Sequence, residues 1–122
     1  MTKHKQTIIT TVIFAIIILA GVWLIFSKKS AAGNEIIFYY GDGCPHCAKV
    51  EDFVKTNGVD KKIKFTSKEV YNNRTNSDEL VARYAQCGLP TDNVGVPLLW
   101  DGGEKKCYSG DQDIINYFSG RI

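Results

Sequence analysis

The chain has 122 residues, of which 44% are hydrophobic, and its formal net charge is only +2. This length accommodates one small domain with a thin hydrophobic core. Because the net charge is small and the lysines are scattered along the sequence, we expect no nucleic-acid partner. The chain contains four cysteines, a number typical of a small domain in a compartment where disulfides persist.

The first feature along the chain is an uncharged apolar run over residues 8–26. Its length is close to the roughly 20 residues that span a bilayer. A cleaved signal peptide is the alternative, because the small residues Ser30, Ala31 and Ala32 follow. The run exceeds the roughly 7 to 15 residues of a signal-peptide core, however, and Lys28 and Lys29 separate it from the small residues. We therefore predict an uncleaved membrane anchor.

This anchor divides the chain into three parts. We predict a short cytoplasmic tail and transmembrane helix over residues 1–27, a linker over residues 28–34 and a folded domain over residues 35–122. A short N-terminal tail before a long C-terminal domain fits the orientation of a signal anchor. We therefore expect a single-pass membrane protein whose domain lies outside the cytoplasm, in the periplasm or at the cell exterior.

The first half of the domain is predicted to form a strand, a helix and a second strand. Residues 35–40 are apolar and β-branched or aromatic, a composition that predicts a buried strand. Apolar residues at helical spacing predict a helix from Pro45 to about Asn57, with Gly58 as its stop signal. The alternation of residues 62–66 predicts a second strand, parallel to the first.

The second half of the domain is predicted to contain a helix, a hairpin and a final helix. A serine cap at Ser77 begins a helical apolar pattern that continues to residue 86. Residues 96–100 and 105–109 flank the turn at Gly102 and Gly103, and this arrangement predicts a β-hairpin. The last helix follows Gly110 and Asp111.

Two of the cysteines follow the first predicted strand, in the quartet Cys44-Pro45-His46-Cys47. Sulfurs three residues apart at the start of a helix can form or break a disulfide with little backbone movement. We predict Cys44 as the nucleophile, because the unpaired N–H groups at a helix N-terminus favour its thiolate. Pro45 suits the first helical position, His46 is expected to stabilise the thiolate, and Cys47 is the predicted resolving thiol.

A zinc site is the main alternative interpretation of this quartet, with Cys87 and Cys107 as the other two ligands. Zinc-binding cysteines usually come as two close-spaced pairs, and Cys87 and Cys107 are too far apart to form the second pair. A purely structural disulfide within the quartet is a weaker alternative, because so short a loop constrains the unfolded chain least. We therefore predict redox chemistry and no metal site.

The second pair of cysteines flanks a proline-containing loop. A disulfide between Cys87 and Cys107 would close a loop of about twenty residues and stabilise the fold by on the order of 3 kcal/mol. The alternative is a second redox pair that exchanges with the quartet. We predict a structural bridge, because long-loop bridges are generally hard to reduce and this pair lacks a thiolate site at a helix N-terminus.

The order strand-helix-strand-helix-strand-strand-helix resembles the minimal thioredoxin fold, with glutaredoxins closest in layout. Besides the quartet, Gly95-Val96-Pro97 matches the step at which this superfamily places a cis-proline opposite its reactive cysteines. The resemblance covers roughly residues 35–118. It implies an α/β domain with a four-stranded mixed sheet, preceded here by one transmembrane helix. It also implies that Val96 and Pro97 bind the backbone of an extended substrate.

The departures from these families concern the redox centre and its substrate. The quartet is that of the DsbA-type periplasmic oxidants, but this chain has no room for their inserted helical domain. Phe38 occupies the position at which those oxidants and thioredoxins place a buried acid. Of the glutathione-binding features of glutaredoxins, Gly95-Val96-Pro97 and Gly110-Asp111 correspond, whereas the threonine before Val-Pro and the paired glycines are altered.

These observations predict a thiol-disulfide oxidoreductase that acts on protein thiols and disulfides, with no cofactor other than its redox-active Cys44–Cys47 disulfide. A quinone-linked thiol oxidase is an expected membrane partner, beside the lipid bilayer itself. The alternatives are an electron relay or reductase for one membrane partner, and a non-enzymatic module in which four cysteines hold zinc. Tyr40 is a candidate substrate-binding residue, whereas Tyr39 and Trp100 are expected in the core.

Overall fold

The computed structural model describes residues 2–26 and 33–122, so residues 28–32 of the predicted linker lie outside the described part of the chain. The chain divides into two compact units, Met1–Ala31 and Ala32–Ile122. The helix described in the first unit is α1, which extends over Thr2–Phe26. The described strands all belong to the second unit.

Helix α1 is apolar along most of its length. Its segment Thr2–Trp23 has 22 residues, and the mean hydropathy reaches 2.2 over 18 of them, so by length and composition it is able to cross a bilayer. The hydroxyl group of Thr7 donates a hydrogen bond to the carbonyl oxygen of Lys3, and Thr11 donates to Thr7 in the same way. These threonine hydroxyl groups therefore have hydrogen-bond partners within the helix.

The second unit is an α/β domain. Its elements are β1 (Ile36–Tyr40), α2 (Pro45–Asn57), α3 (Val59–Lys62), β2 (Thr66–Glu69), α4 (Arg74–Gln86), β3 (Leu98–Asp101), β4 (Lys106–Ser109) and α5 (Asp111–Ser119). The strands form one sheet in the order β2-β1-β3-β4. β1 is parallel to β2, whereas β1 with β3 and β3 with β4 are antiparallel. The predicted four-stranded mixed sheet is confirmed.

The central strands β1 and β3 are buried on both faces of the sheet. Side chains alternate along a strand, so Ile37 and Tyr39 face one side of the sheet and Phe38 faces the other. On the first side, Leu80 and Tyr84 of α4 complete a core cluster. The second cluster contains side chains from α2, α3 and α5 and consists of Phe38, Val50, Val59, Leu99, Ile114, Tyr117 and Phe118. Helices therefore cover the sheet on both faces.

The second strand begins later than the sequence predicted. The prediction of a strand over residues 62–66 is wrong. Helix α3 ends at Lys62, and β2 begins only at Thr66. Gly58, with a left-handed φ of 60°, ends α2 as expected and leads into α3. Ile63 and Phe65 alternate because both pack on the second cluster from the connecting segment. The alternation marks buried side chains there, not a hydrogen-bonded strand.

Other boundaries also differ from the prediction. β1 begins at Ile36 rather than at residue 35, and β3 extends over Leu98–Asp101 rather than over residues 96–100. The N-cap of α4 is Asn73 rather than Ser77, and its side-chain oxygen accepts a hydrogen bond from the N–H of Asn76 at 3.1 Å. This bond satisfies a donor that the first turn would otherwise leave unpaired. Lys105 has a positive φ of 53° and belongs to the hairpin turn, so β4 begins one residue later than predicted.

Candidate redox site

The quartet lies where β1 ends and α2 begins. Cys44 is the N-cap of α2, and its Sγ accepts a hydrogen bond from the N–H of Cys47 at 3.2 Å. The N–H of Cys44 donates to the carbonyl oxygen of Gly41 at 3.1 Å and closes the turn. Pro45 occupies the first helical position, where its missing N–H leaves no donor unpaired. The Cys44 sulfur therefore lies at the positive end of a helix, where negative charge is stabilised.

Two glycines shape the turn that leads to Cys44. Gly43 has a φ of 76°, a conformation that side chains rarely adopt. A Cβ atom at Gly41 would collide with the ring of Tyr71. The carboxylate of Glu69 also accepts a hydrogen bond from the N–H of Asp42 at 3.3 Å. The turn is therefore fixed by close packing against Tyr71 and by the hydrogen bond that Asp42 donates to Glu69 at the end of β2.

Cys44 and Cys47 form a disulfide, with their Cα atoms 5.2 Å apart. Cys44 is 9% exposed to solvent, whereas Cys47 is only 1% exposed. An incoming thiolate therefore reaches the Cys44 sulfur, and Cys47 becomes the leaving group. This asymmetry suits disulfide exchange, because one sulfur bonds the substrate while the other is kept for resolution.

The segment around Val96 and Pro97 lies opposite this disulfide. The peptide bond between these residues is cis, and the carbonyl oxygen of Val96 is 3.9 Å from Sγ of Cys44. The hydroxyl group of Tyr84 donates to the carbonyl oxygen of Gly95 at 2.8 Å and accepts from the N–H of Gly95 at 3.1 Å. A side chain of α4 thus fixes the backbone that lies next to the reactive sulfur.

An open groove of about 390 Å³ begins at this segment. Its lining comes from α2, the loop before β3 and the junction between β4 and α5, and includes His46, Asn93, Val96, Pro97, Ser109 and Asp111. Because Val96 lies at the groove and close to the disulfide, a chain bound in the groove is able to present a sulfur to Cys44.

A polar network formed by His46, Lys49 and Asp111 lies beside the groove. Oδ2 of Asp111 is 3.0 Å from Nδ1 of His46 and 3.2 Å from Nζ of Lys49. The hydrogen bonds from His46 and Lys49 lower the pKa of Asp111 to about 2, so its carboxyl group is ionised at neutral pH. An ionised carboxylate only accepts hydrogen bonds, and the hydrogen atom between the two groups is therefore assigned to Nδ1 of His46.

The aromatic residues around β1 and β3 lie in the core. Tyr40 is half-buried and packs on the second core cluster. Tyr39 is fully buried, and burial together with its hydrogen bond to Glu79 at 2.7 Å raises its pKa. Trp100 is buried below the guanidinium of Arg83, which is 4.7 Å from the ring centre. The role of Tyr40 in substrate binding stays a prediction.

Cys87 and Cys107 form a second disulfide, with their Cα atoms 6.0 Å apart. Cys87 ends α4 and Cys107 lies in β4, and both pack on the first core cluster. Sγ of Cys107 is 3.7 Å from the carbonyl oxygen of Arg83 in the last turn of α4. This end of a helix carries negative potential, which disfavours a thiolate. The pair therefore lacks the electrostatic setting of the quartet.

In the part of the chain that the structure describes, no three His, Cys, Asp or Glu side chains are grouped as a metal site requires. Two residues at the redox site were missed by the sequence analysis. Tyr84 looked like an ordinary apolar helix position, although a buried tyrosine hydroxyl needs a hydrogen-bond partner, and this was the available signal. Lys49 gave no signal, because its partner Asp111 is distant in sequence.

Comparisons with known proteins support the fold. No family model and no curated protein matches the chain. Among solved structures, oxidized glutaredoxin 2 from Chlamydomonas reinhardtii is similar, with a TM-score of 0.51 and 24% sequence identity. The match covers 75% of this chain and 78% of that one. The chain has a thioredoxin-like fold. At this identity the similarity shows the fold alone, and the disulfide between Cys44 and Cys47 is what indicates thiol-disulfide redox chemistry.

Proposed function

We propose that this protein is a membrane-anchored thiol-disulfide oxidoreductase that acts outside the cytoplasm on protein dithiols and disulfides. The observation that carries the proposal is the Cys44–Cys47 disulfide at the N-terminus of α2, with the carbonyl oxygen of Val96 3.9 Å from Cys44. A partly exposed sulfur, a buried sulfur and a fixed backbone segment are the parts that disulfide exchange needs.

The oxidising direction begins with a substrate thiolate that attacks Sγ of Cys44. The bond between substrate and Cys44 forms, the Cys44–Cys47 bond breaks, and Cys47 leaves as a thiolate. A second substrate thiolate then attacks the substrate sulfur of this mixed disulfide and releases the Cys44 thiolate. The substrate loses two electrons and the quartet gains them. In the reducing direction Cys44 attacks a substrate disulfide, and Cys47 resolves the mixed disulfide.

A protein segment is the proposed substrate, because the groove lies beside an accessible stretch of backbone. An extended segment that pairs with the backbone of Val96 and lies over Pro97 would hold its cysteine next to Cys44. Disulfide exchange needs no further cofactor to carry electrons, since the electrons remain on sulfur throughout. The quartet is therefore proposed to act with no further cofactor.

The proposed location follows from α1 and from the two disulfides. Segment Thr2–Trp23 is long and apolar enough to cross a bilayer, and disulfides persist outside the reducing cytoplasm. A domain tethered in this way meets membrane proteins at high effective concentration. We propose a quinone-linked thiol oxidase as the membrane partner that exchanges electrons with the quartet.

A trapping experiment tests the redox function. The full chain with Cys47→Ser is purified in detergent and incubated with a peptide that contains one disulfide. Cys44 attacks this disulfide, and without a resolving thiol the mixed disulfide persists. Mass spectrometry is expected to find the peptide on Cys44 in this variant. The parent, whose Cys44 and Cys47 are reduced beforehand, is expected to release the reduced peptide and to form its own Cys44–Cys47 disulfide again.

The matched control is the Cys44→Ser variant, which retains Cys47 and is expected to give no adduct. An adduct on Cys87 or Cys107 instead, or a parent that neither oxidises a dithiol peptide nor reduces a disulfide peptide, would contradict the proposal. The location is checked separately in a bacterial host. The chain is expected to remain with membranes after an alkaline wash, and its domain is expected to be digested by protease added from outside.

A further inference from the structure

One side chain of the quartet, that of His46, contacts a residue of another helix. Asp111 lies 65 residues further along the chain, at the start of α5, and its carboxylate contacts Nδ1 of His46 at 3.0 Å. Lys49, one turn into α2, contacts the same carboxylate oxygen at 3.2 Å. The ring of His46 is therefore tied to α5 across the groove.

This contact changes what His46 offers to the reactive sulfur. A hydrogen bond from Nδ1 of His46 to Asp111 leaves a neutral ring with an acceptor, not a donor, at Nε2. In a protonated ring the positive charge is shared with the carboxylate. In both states His46 stabilises a thiolate on Cys44 less than an unpaired imidazolium would. The described hydrogen bond to the Cys44 sulfur comes instead from the N–H of Cys47 at 3.2 Å.

On the basis of the function proposed above, we propose that Asp111 is a positioning residue that lowers the oxidising power of the quartet by holding His46 away from Cys44 and offsetting its charge. Two physical effects act in the same direction. The carboxylate keeps the ring at α5, and its negative charge offsets the positive charge that a protonated His46 would present to the thiolate. Removing it favours the thiolate, and therefore the reduced form of the pair, on both counts.

The size of the effect is limited by solvent. The side chain of His46 is 65% exposed, and that of Asp111 is 23% exposed. Exposed charged pairs are screened by water and salt, so we expect a change of about three- to fivefold in the redox equilibrium. For a two-electron couple this is about 15 to 20 mV.

The test is the redox equilibrium of the Cys44–Cys47 pair in the full chain, measured in glutathione buffers in detergent. Two glutathione molecules reduce the disulfide to two thiols and become one glutathione disulfide, and thiol labelling gives the reduced fraction. Asp111→Asn is expected to shift the equilibrium about three- to fivefold toward the reduced form. The Cys44 thiolate, followed by its ultraviolet absorbance, is expected to form at lower pH in the variant.

Asp113→Asn is the matched control, because Asp113 is a second acidic residue in the first turn of α5. It removes the same charge from the same helix and is expected to leave the equilibrium unchanged. Asp111→Asn is also combined with His46→Ala. In this background most of the effect of Asp111→Asn is expected to disappear, because the residue acts through His46.

Several outcomes would overturn the proposal. They are an equilibrium that is unchanged or shifted toward the disulfide in Asp111→Asn, an equal shift in Asp113→Asn, and a full shift in the His46→Ala background. The proposed function fails in a different way, when the Cys44–Cys47 pair of the parent does not exchange with glutathione at all. That result would contradict both proposals, whereas equal equilibria in parent and Asp111→Asn would contradict only this one.

Discussion

The two disulfides of this domain are the same covalent bond in opposite electrostatic settings. Cys44 begins α2 and accepts the N–H of Cys47, whereas Cys87 ends α4 and Sγ of Cys107 is 3.7 Å from a carbonyl oxygen. Backbone N–H groups stabilise a thiolate, and carbonyl oxygens destabilise it. The position of a cysteine on a helix, more than the bond itself, is therefore expected to separate a disulfide that exchanges from one that supports the fold.

The loops that the two disulfides close sharpen this contrast. Cys44 and Cys47 are 3 residues apart, whereas Cys87 and Cys107 are 20 residues apart. A longer loop restricts the unfolded chain more, so the second bond stabilises the folded state more than the first. Reduction of the Cys44–Cys47 disulfide is thus expected to lower the stability of the folded state only slightly, which suits a bond that opens in every cycle.

The largest expected effect is the loss of turnover in Cys44→Ser. Without the Cys44 sulfur no mixed disulfide forms, and oxidation of a dithiol peptide or reduction of a disulfide peptide is expected to fall to the uncatalysed rate. Rates are measured with the full chain, and unfolding in denaturant is measured beside them. If the variant turns over substrate nearly as fast as the parent, the Cys44–Cys47 disulfide is not the one that exchanges with the substrate.

Replacing both Cys87 and Cys107 with Ser is expected to lower stability and to leave turnover intact. The free energy of unfolding should fall by about 3 kcal/mol, because the unfolded chain regains the freedom of a 20-residue loop. Turnover of the folded variant should persist. Denaturant unfolding and a peptide assay in the same buffer measure both quantities. If the folded variant is inactive, the second pair belongs to the catalytic cycle.

Asp101 provides a stability effect that is independent of both disulfides. Burial raises the pKa of this carboxyl group, but hydrogen bonds from Tyr117, Glu104 and Gly103 outweigh it, and the pKa is lowered overall. A carboxyl group whose pKa is lowered by folding stabilises the fold above its unfolded value of about 3.9 and loses this effect as the pH falls through its folded value.

Asp101→Asn is therefore expected to lower the free energy of unfolding by about 2 kcal/mol at neutral pH, and by less in acid. Denaturant unfolding of parent and variant at both pH values measures the difference, with Asp113→Asn as the control for charge. The redox equilibrium of the quartet should not move. A loss of equal size at neutral and acidic pH would show that ionisation of Asp101 is not its cause.

The smallest expected effect concerns Tyr84, which connects the regions of the two disulfides. It lies one turn before Cys87, and its hydroxyl group binds both backbone groups of Gly95. Tyr84→Phe removes these bonds, so the segment that holds Val96 becomes less ordered. We expect KM for a dithiol peptide to rise about fivefold, the equivalent of one lost hydrogen bond of about 1 kcal/mol, while kcat changes little. A lower kcat at unchanged KM would contradict this role.

The start of the domain was predictable because its signals are local. Pro45 at the first helical position and Gly58 past the last one delimit α2, and both act within one helical turn. The edge strand β2 was not predictable, because its sequence Thr-Ser-Lys-Glu has no apolar pattern. This segment forms a strand only through its pairing with β1. Asn73 was missed as a cap because Ser77, four residues later, is an equally good local candidate.

The sequence by itself determined the reactive group: two cysteines three residues apart at a strand-to-helix junction, with a proline that starts the helix. Only the tertiary structure decided what surrounds this group. Val96 is 52 residues from Cys44, and Asp111 is 65 residues from His46. These contacts exist because β1 pairs with β3 and α5 packs beside α2, and local propensities do not specify such long-range pairings.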